Sequence, residues 1–283
     1  MKNKYIEQTM RFVFLAAACV SIAATITICI FLFANGVPAM LKIGLKNFIL
    51  GLKWKPSIDL YGIFPMIVGS ITVTLGALIL GVPLGLFTAV FLARYCPKKI
   101  YSFFESGVKL LAGIPSVVYG FFGLTVIVPA IRNTFGGNGT SILAASIVLA
   151  IMILPTIISV SESSIRAVPS LYFEGSLALG ACKERSIFLV ELKAAKSGIM
   201  AGIILGVGRA VGETMAVIMV AGNQAILPRS LVKGIRTLTA NIVLEMGYAA
   251  DLHRDALIAT SVILFIFILI INLCFSLLKE KKE

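Results

Sequence analysis

Residues 163–197 read SSIRAVPSLYFEGSLALGACKERSIFLVELKAAKS and lie between two apolar runs, 141–161 and 198–221. Each run is long enough to cross a hydrocarbon core, which takes about 20 apolar residues as a helix. A connection this long between two crossings needs structure of its own. Ser170 is placed to cap a helix that begins near Leu171, and Gly180 interrupts that helix before a second run from about Lys183. Two short amphipathic helices bent at a glycine are expected. Phe173, Leu177, Leu179, Ile187 and Phe188 would then face water, unless a partner covers them or they fold back onto the membrane helices.

The rest of the chain supports a membrane setting. Of 283 residues, 59% are hydrophobic and 13% charged, and mean hydropathy is +1.01. A soluble domain does not carry that composition. Six crossings are expected, near 11–34, 62–94, 101–130, 141–161, 198–221 and 255–278. The first is longer than a signal-peptide core and reads as an uncleaved span. The second and third are too long for one straight helix. Gly76, Gly81, Pro83 and Gly85 mark expected bends in the second, and Gly113 and Pro115 in the third.

The net charge is +12, which in a soluble protein would suggest a nucleic-acid partner. Orientation explains it better. With the amino terminus inside, the inner pieces carry Lys2, Lys4 and Arg11, then Arg94, Lys98 and Lys99, then Arg166 and the lysines and arginine of the long loop, and finally Lys279, Lys281 and Lys282. The outer pieces carry fewer, so both termini are expected in the cytosol. Trp54, with Phe48, Tyr61 and four nearby lysines, reads as an interfacial anchor between the first two crossings. Residues 1–60 therefore form a first helix with an outer interfacial segment, and 61–279 the core. The five cysteines have no paired spacing, so neither a disulfide framework nor a metal site is expected.

The fifth crossing is the unusual one. It places Arg209 and Glu213 four residues apart, where one helix face would let them pair. Either charge facing lipid would cost at least about 2.5 to 3.5 kcal/mol, so both should point at protein or a watery path. Gly198, Gly202 and Gly206 recur every four residues, with Gly208 and Gly212 as a second pair, the spacing that admits a close helix neighbour. Arg209 could serve only in a register-fixing ion pair. It could instead meet an anion in transit, since a guanidinium stays charged and offers a planar fork to oxyanions. Arg236 in the outer loop is a weaker candidate for the same task. Glu105 and Lys109 read as an interfacial pair.

Glu174, Gly180 six residues later, Leu192 and then Ala194–Ala195 resemble the EAA loop of ABC importer permeases, with two departures. EGS replaces Glu-Ala-Ala, and Lys193 stands where that family has proline, so the helix is expected to run through it. LAGIPSVVYGFFGL (111–124), WKPSIDLYGIFPMIVGSI (54–71), RAVGETMAV (209–217) and RTLTANIVLEMGYA (236–249) together resemble the PstC-type permeases of phosphate importers, over roughly 54–275. The Arg-x-x-Gly-Glu core is shared with permeases for sulfate and molybdate. The resemblance implies an all-α polytopic fold of the type I ABC importer, or MetI-like, kind. It also implies a homologous PstA-like second permease, two copies of a cytosolic ATPase below the pair, the 163–197 loop docking into a cleft of the ATPase, and an extracytoplasmic phosphate-binding protein. ATP and Mg would be used by the ATPase: GSLALGAC has Ala181 and Cys182 where a phosphate-binding loop needs Lys and Ser/Thr. An ion-coupled transporter would also bury charges, but would not need such a loop. An intramembrane protease would need acids or a Ser/His pair within the spans, whereas Asp59, Asp251, Asp255 and His253 lie outside them or at a mouth.

Overall fold

In the computed structural model the backbone is described for residues 2–280 and the side chains for residues 7–274. The side chains of Lys2, Lys4, Lys279, Lys281 and Lys282, which enter the charge balance, lie outside the described residues. The chain opens with α1 (Lys2–Ile43) and a short α2 (Leu45–Leu50). A two-stranded hairpin follows, with β1 (Trp54–Lys55) antiparallel to β2 (Leu60–Tyr61) and Trp54 opposite Tyr61. Gly51 and Gly62 let the two sides of this connection touch backbone to backbone, where any Cβ would overlap the other chain.

The central pair is α3 (Phe64–Val90) and, later in the chain, α7 (Ile142–Arg166). Between them run α4 (Lys98–Gly113), α5 (Ser116–Phe122) and α6 (Val128–Phe135). Gly76 sits against Ser146, Gly81 against Ile153 and Gly85 against Ile157, so α3 and α7 run parallel in close contact. Of the bends or splits expected at Gly76, Gly81, Pro83 and Gly85, no split occurs. Helix α3 is continuous, and its glycines admit a neighbour instead of breaking the helix. The expected break at Gly113 and Pro115 is present: Ile114 is extended ahead of the proline, and α5 starts one residue after it. Tyr119 donates to the Leu111 carbonyl at 2.7 Å and so satisfies one of the acceptors left at the end of α4.

The loop from α7 contains α8 (Ser170–Ala178), α9 (Lys183–Ser186) and α10 (Leu192–Ala194), and leads into α11 (Lys196–Gly212). Gly180 makes the turn at φ +87°, as expected of a hinge. Ser170 does not cap α8. It is the first helical residue, Pro169 holds the cap position, and no side chain caps the helix. The backbone stays helical through Lys193. The remaining helices are α12 (Met215–Val220), α13 (Leu238–Met246) and α14 (Asp251–Glu280). Gly36 of α1 packs on Ala259 and Val262 of α14, and Phe33 meets Phe265 edge to face.

Among the described residues five helices are long and apolar enough to cross a membrane: Glu7–Ile43, Phe64–Tyr95, Ser116–Phe135, Ile142–Arg166 and Asp251–Cys274. The remaining expected crossing, 198–221, is α11 and α12 in succession, split at Glu213–Thr214. Gly198, Gly202 and Gly206 face Ser164, Val160 and Ile157 of α7, which fixes α11 antiparallel to it. Gly208 and Gly212 have open space where a side chain would be, so this second glycine pair packs on nothing within the described chain.

Candidate functional site

Three groups of charged side chains lie along the molecule, and they differ in what holds them. The middle group sits at the break in the fifth crossing. Helix α11 ends at Gly212, and Glu213 is extended, with φ −70° and ψ 131°. Its carboxylate accepts the Ala216 N–H at 3.2 Å at the start of α12, while its carbonyl accepts the Thr239 hydroxyl at 3.1 Å. The expected ion pair between Arg209 and Glu213 on one helix face is therefore not formed, because the two residues no longer share a helix. Arg209 is half-buried and has no hydrogen-bond or ion-pair partner among the described residues. Its field reaches the Tyr119 hydroxyl of α5. Behind the break is a cavity of about 10 Å³ lined by Ser70, Thr74, Glu213, Thr237 and Thr239 among apolar residues, the size of a single water. Thr237 caps α13 through the Ala240 N–H, and Ser70 accepts the Leu238 N–H at 3.0 Å.

At the hairpin end Arg236 is held on every side. Nη1 pairs with Glu245 at 2.5 Å and donates to Asn241 at 3.0 Å, while Nε donates to the Asn223 carbonyl at 3.0 Å. The second Glu245 oxygen accepts the Trp54 indole N–H at 2.7 Å and lies 2.9 Å from His253 Nε2. Trp54 is thus a buried hydrogen-bond donor, and the expectation of an interfacial anchor gives way to a packed one. Around it, burial raises the Tyr61 phenol above its ordinary pKa, with Asp59 adding to the effect. Arg236 reaches this network already holding a carboxylate.

At the opposite end α3 and α7 finish side by side, and two arginines tie them. Arg94 donates to the Ile165 carbonyl at 2.9 Å, and Arg166 donates to the Leu92 carbonyl at 2.8 Å. Each arginine thus serves acceptors at the end of the other's helix. Arg166 also pairs with Glu162 at 2.8 Å, beneath the Tyr101 ring, and the Tyr101 hydroxyl donates to the same carboxylate at 2.7 Å. Arg94 Nη2 lies 2.7 Å from Glu191, whose side chain is 0% exposed. Residue composition alone misses this group, since Arg94 and Arg166 read as part of a charge bias. A lone acid inside the apolar run FLVELKAA was its one signal.

The loop beyond these ties is largely uncovered. Leu179 is 91% exposed, and Leu171, Tyr172, Leu177 and Phe188 are exposed as well. Glu174 and Gly180 are exposed on the same projection, Phe173 and Leu192 are half-buried, and Ile187 is fully buried. Ile187 therefore leaves the group of residues expected to await a partner. It packs with Ala89 and Val90 of α3 and with Ile165. Glu105 and Lys109 do pair, on the exposed face of α4.

Broken crossings, a charged residue inside one of them and an apolar projecting loop define a membrane permease of the kind found in ABC importers. The chain belongs to the family of binding-protein-dependent transport system inner membrane components, whose model matches residues 81–281. It is 38% identical to the probable ABC transporter permease protein YqgH of Bacillus subtilis, over 96% of this chain and 92% of that protein. It is 33% identical to the phosphate transport system permease protein PstC of Mesorhizobium japonicum, over 86% of this chain and 81% of that one. Among solved structures it resembles the inward-facing MetNI methionine ABC transporter, with a TM-score of 0.59 and 19% identity over 82% of this chain and all of that one. That likeness shows the MetI-like fold. The chain is a transport subunit, and its expected permease fold is the observed one.

Proposed function

We propose that this chain is one of two permease subunits of an importer of inorganic phosphate, and that Arg209 is the residue that meets the anion. The observation that carries the reading is a half-buried guanidinium that has no partner among the described residues, beside a break in a membrane helix. An unpaired cation at such a place is costly unless something anionic visits it. The fork of a guanidinium suits the oxygens of a phosphate, and it must hold them weakly enough to let go. Glu213 contributes by capping α12 instead of neutralising Arg209. The names of the PstC relatives, 31–34% identical, support phosphate as the cargo.

In this reading a PstA-like second permease covers the open face of α11 around Gly208 and Gly212, and lipid surrounds α1. Of two cytosolic ATPases below the permease pair, one docks on the exposed apolar face between Leu171 and Phe188, and the two supply the ATP and Mg chemistry. A phosphate-binding protein delivers cargo at the hairpin end, with both termini in the cytosol of a cell-membrane protein. ATP-driven closure of the ATPase pair moves the loop and alternates access. Arg236 belongs to the fabric of the hairpin end rather than to the path. The test is labelled-phosphate uptake by the reconstituted complex with binding protein, challenged by excess sulfate or molybdate. Uptake that needs ATP and resists both competitors is expected, and competition by either oxyanion would transfer the reading to that cargo.

A further inference from the structure

We infer that the buried Arg94–Glu191 ion pair is the connector through which displacement of the loop reaches the membrane helices. The inference rests on the reading that an ATPase docks on this loop. Helix α8, which carries the exposed apolar residues, has no fully buried side chain, and Phe173 alone packs half-buried on the apolar cluster at the loop end of α3 and α7. Its hold on α3 and α7 is this one apolar contact, which can slide. The loop regains contact with the body further along, at Ser186, Ile187, Glu191 and Ala195, which are all buried. Ile187 and Ala195 make apolar contacts, which can slide. Glu191 makes the one ion pair of this stretch among the described residues, 2.7 Å from Arg94, while the Lys183 ammonium lies over the exposed Tyr95 ring.

Both members of the pair are presented from π-helical turns, Arg94 from Phe91–Tyr95 and Glu191 from Ile187–Glu191. In each the backbone skips one hydrogen bond: Cys96 N–H reaches the Phe91 carbonyl, and Leu192 N–H reaches that of Ile187. Such a turn aims a side chain where a regular helix would not. Arg94 then passes the connection on to α7 through the Ile165 carbonyl, and Arg166 returns it to α3 through the Leu92 carbonyl. A push on the loop thus arrives at both parallel helices at once. Neither Glu191 oxygen has an aligned hydrogen bond, and Arg94 is its one ion-pair partner among the described residues. A buried charge held in this way cannot let go of its partner without being stranded. The loop end of α3 must follow it.

The experiment uses the full complex in vesicles and reads phosphate taken up per ATP hydrolysed. With Glu191→Gln, the ATPase should still co-purify and hydrolysis should change by less than about twofold, while phosphate per ATP falls about tenfold, within the roughly 5- to 150-fold span of a coupling between sites. Glu191→Asp, which keeps the charge, should recover a measurable part of the loss. Unchanged phosphate per ATP in Glu191→Gln would overturn the inference. So would equal loss in the Asp and Gln variants, or failure of the Gln variant to retain the ATPase, since these outcomes make the residue a packing element. Leu179→Asp separates the two readings: it should release the ATPase, and an ATPase that stays bound to it removes the docking surface whatever Glu191 does.

Discussion

Arg209 and Arg236 are both semi-buried arginines in a greasy chain, and they are built in opposite ways. Arg236 has three partners within 3.0 Å, one of them the Glu245 carboxylate. Arg209 has none among the described residues, and Glu213, though close in sequence, caps α12 instead. In the proposed reading Arg209 is left unpaired for the anion, whereas Arg94, Arg166 and Arg236 are paired. The difference separates charges that hold the fold together from a charge kept available.

The comparison can be broken most directly at its two poles. Arg209→Gln should abolish uptake to background while changing stability by less than about 0.5 kcal/mol, as a substitution without partners does. Retained uptake in vesicles would end the distinction. Glu245→Gln should do the reverse, costing about 3 to 5 kcal/mol by stranding Arg236. Denaturant titration of the detergent-solubilised protein checks this, and uptake per assembled complex should persist.

Smaller effects sharpen the same contrast along α11, whose two sides differ as the arginines do. Gly206→Ala places a methyl 3.1 Å from Ile157 and should cost about 1 to 2 kcal/mol by overpacking. Gly208→Ala meets nothing within 4 Å and should be neutral or gain up to about 1 kcal/mol of helix propensity in the isolated subunit; a thermal melt compares the two. Last, Thr239→Val removes the hydroxyl that holds the Glu213 carbonyl, worth about 1 kcal/mol. It should loosen the break, seen as faster amide exchange at residues 213–216.

Periodicity and length were enough to find the apolar segments, the hinge at Gly180 and the break at Pro115, because each depends on local chemistry, but the crossing expected over 101–130 is Ser116–Phe135, with α4 left outside it. The break at Glu213 was not legible. No proline marks it, and it exists because Ala216 and Thr239 supply hydrogen bonds from beyond the helix. The glycines of α3 misled for a related reason: the residue that can bend a helix also admits a neighbour, and only the position of α7 decides between the two. Arg209 could be singled out from its surroundings, whereas its lack of a partner could not, since spacing on an ideal helix pairs it with Glu213. The hairpin-end and loop-end networks join residues as far apart as Trp54 and Glu245 or Arg94 and Glu191, and no local pattern connects those.

The crossed arginines at the ends of α3 and α7 act at two different times in the life of the chain. As the protein inserts, before the helices meet, Arg94 and Arg166 are free cations, and under the proposed orientation they help to keep their ends on the cytosolic side. Once α3 and α7 lie parallel, two helix ends of like partial charge come together, and the same residues neutralise them. Lysine would serve the first task as well as arginine. It would fail the second, because a single ammonium lacks the planar fork with which Arg166 reaches Glu162 through Nε and the Leu92 carbonyl through Nη2.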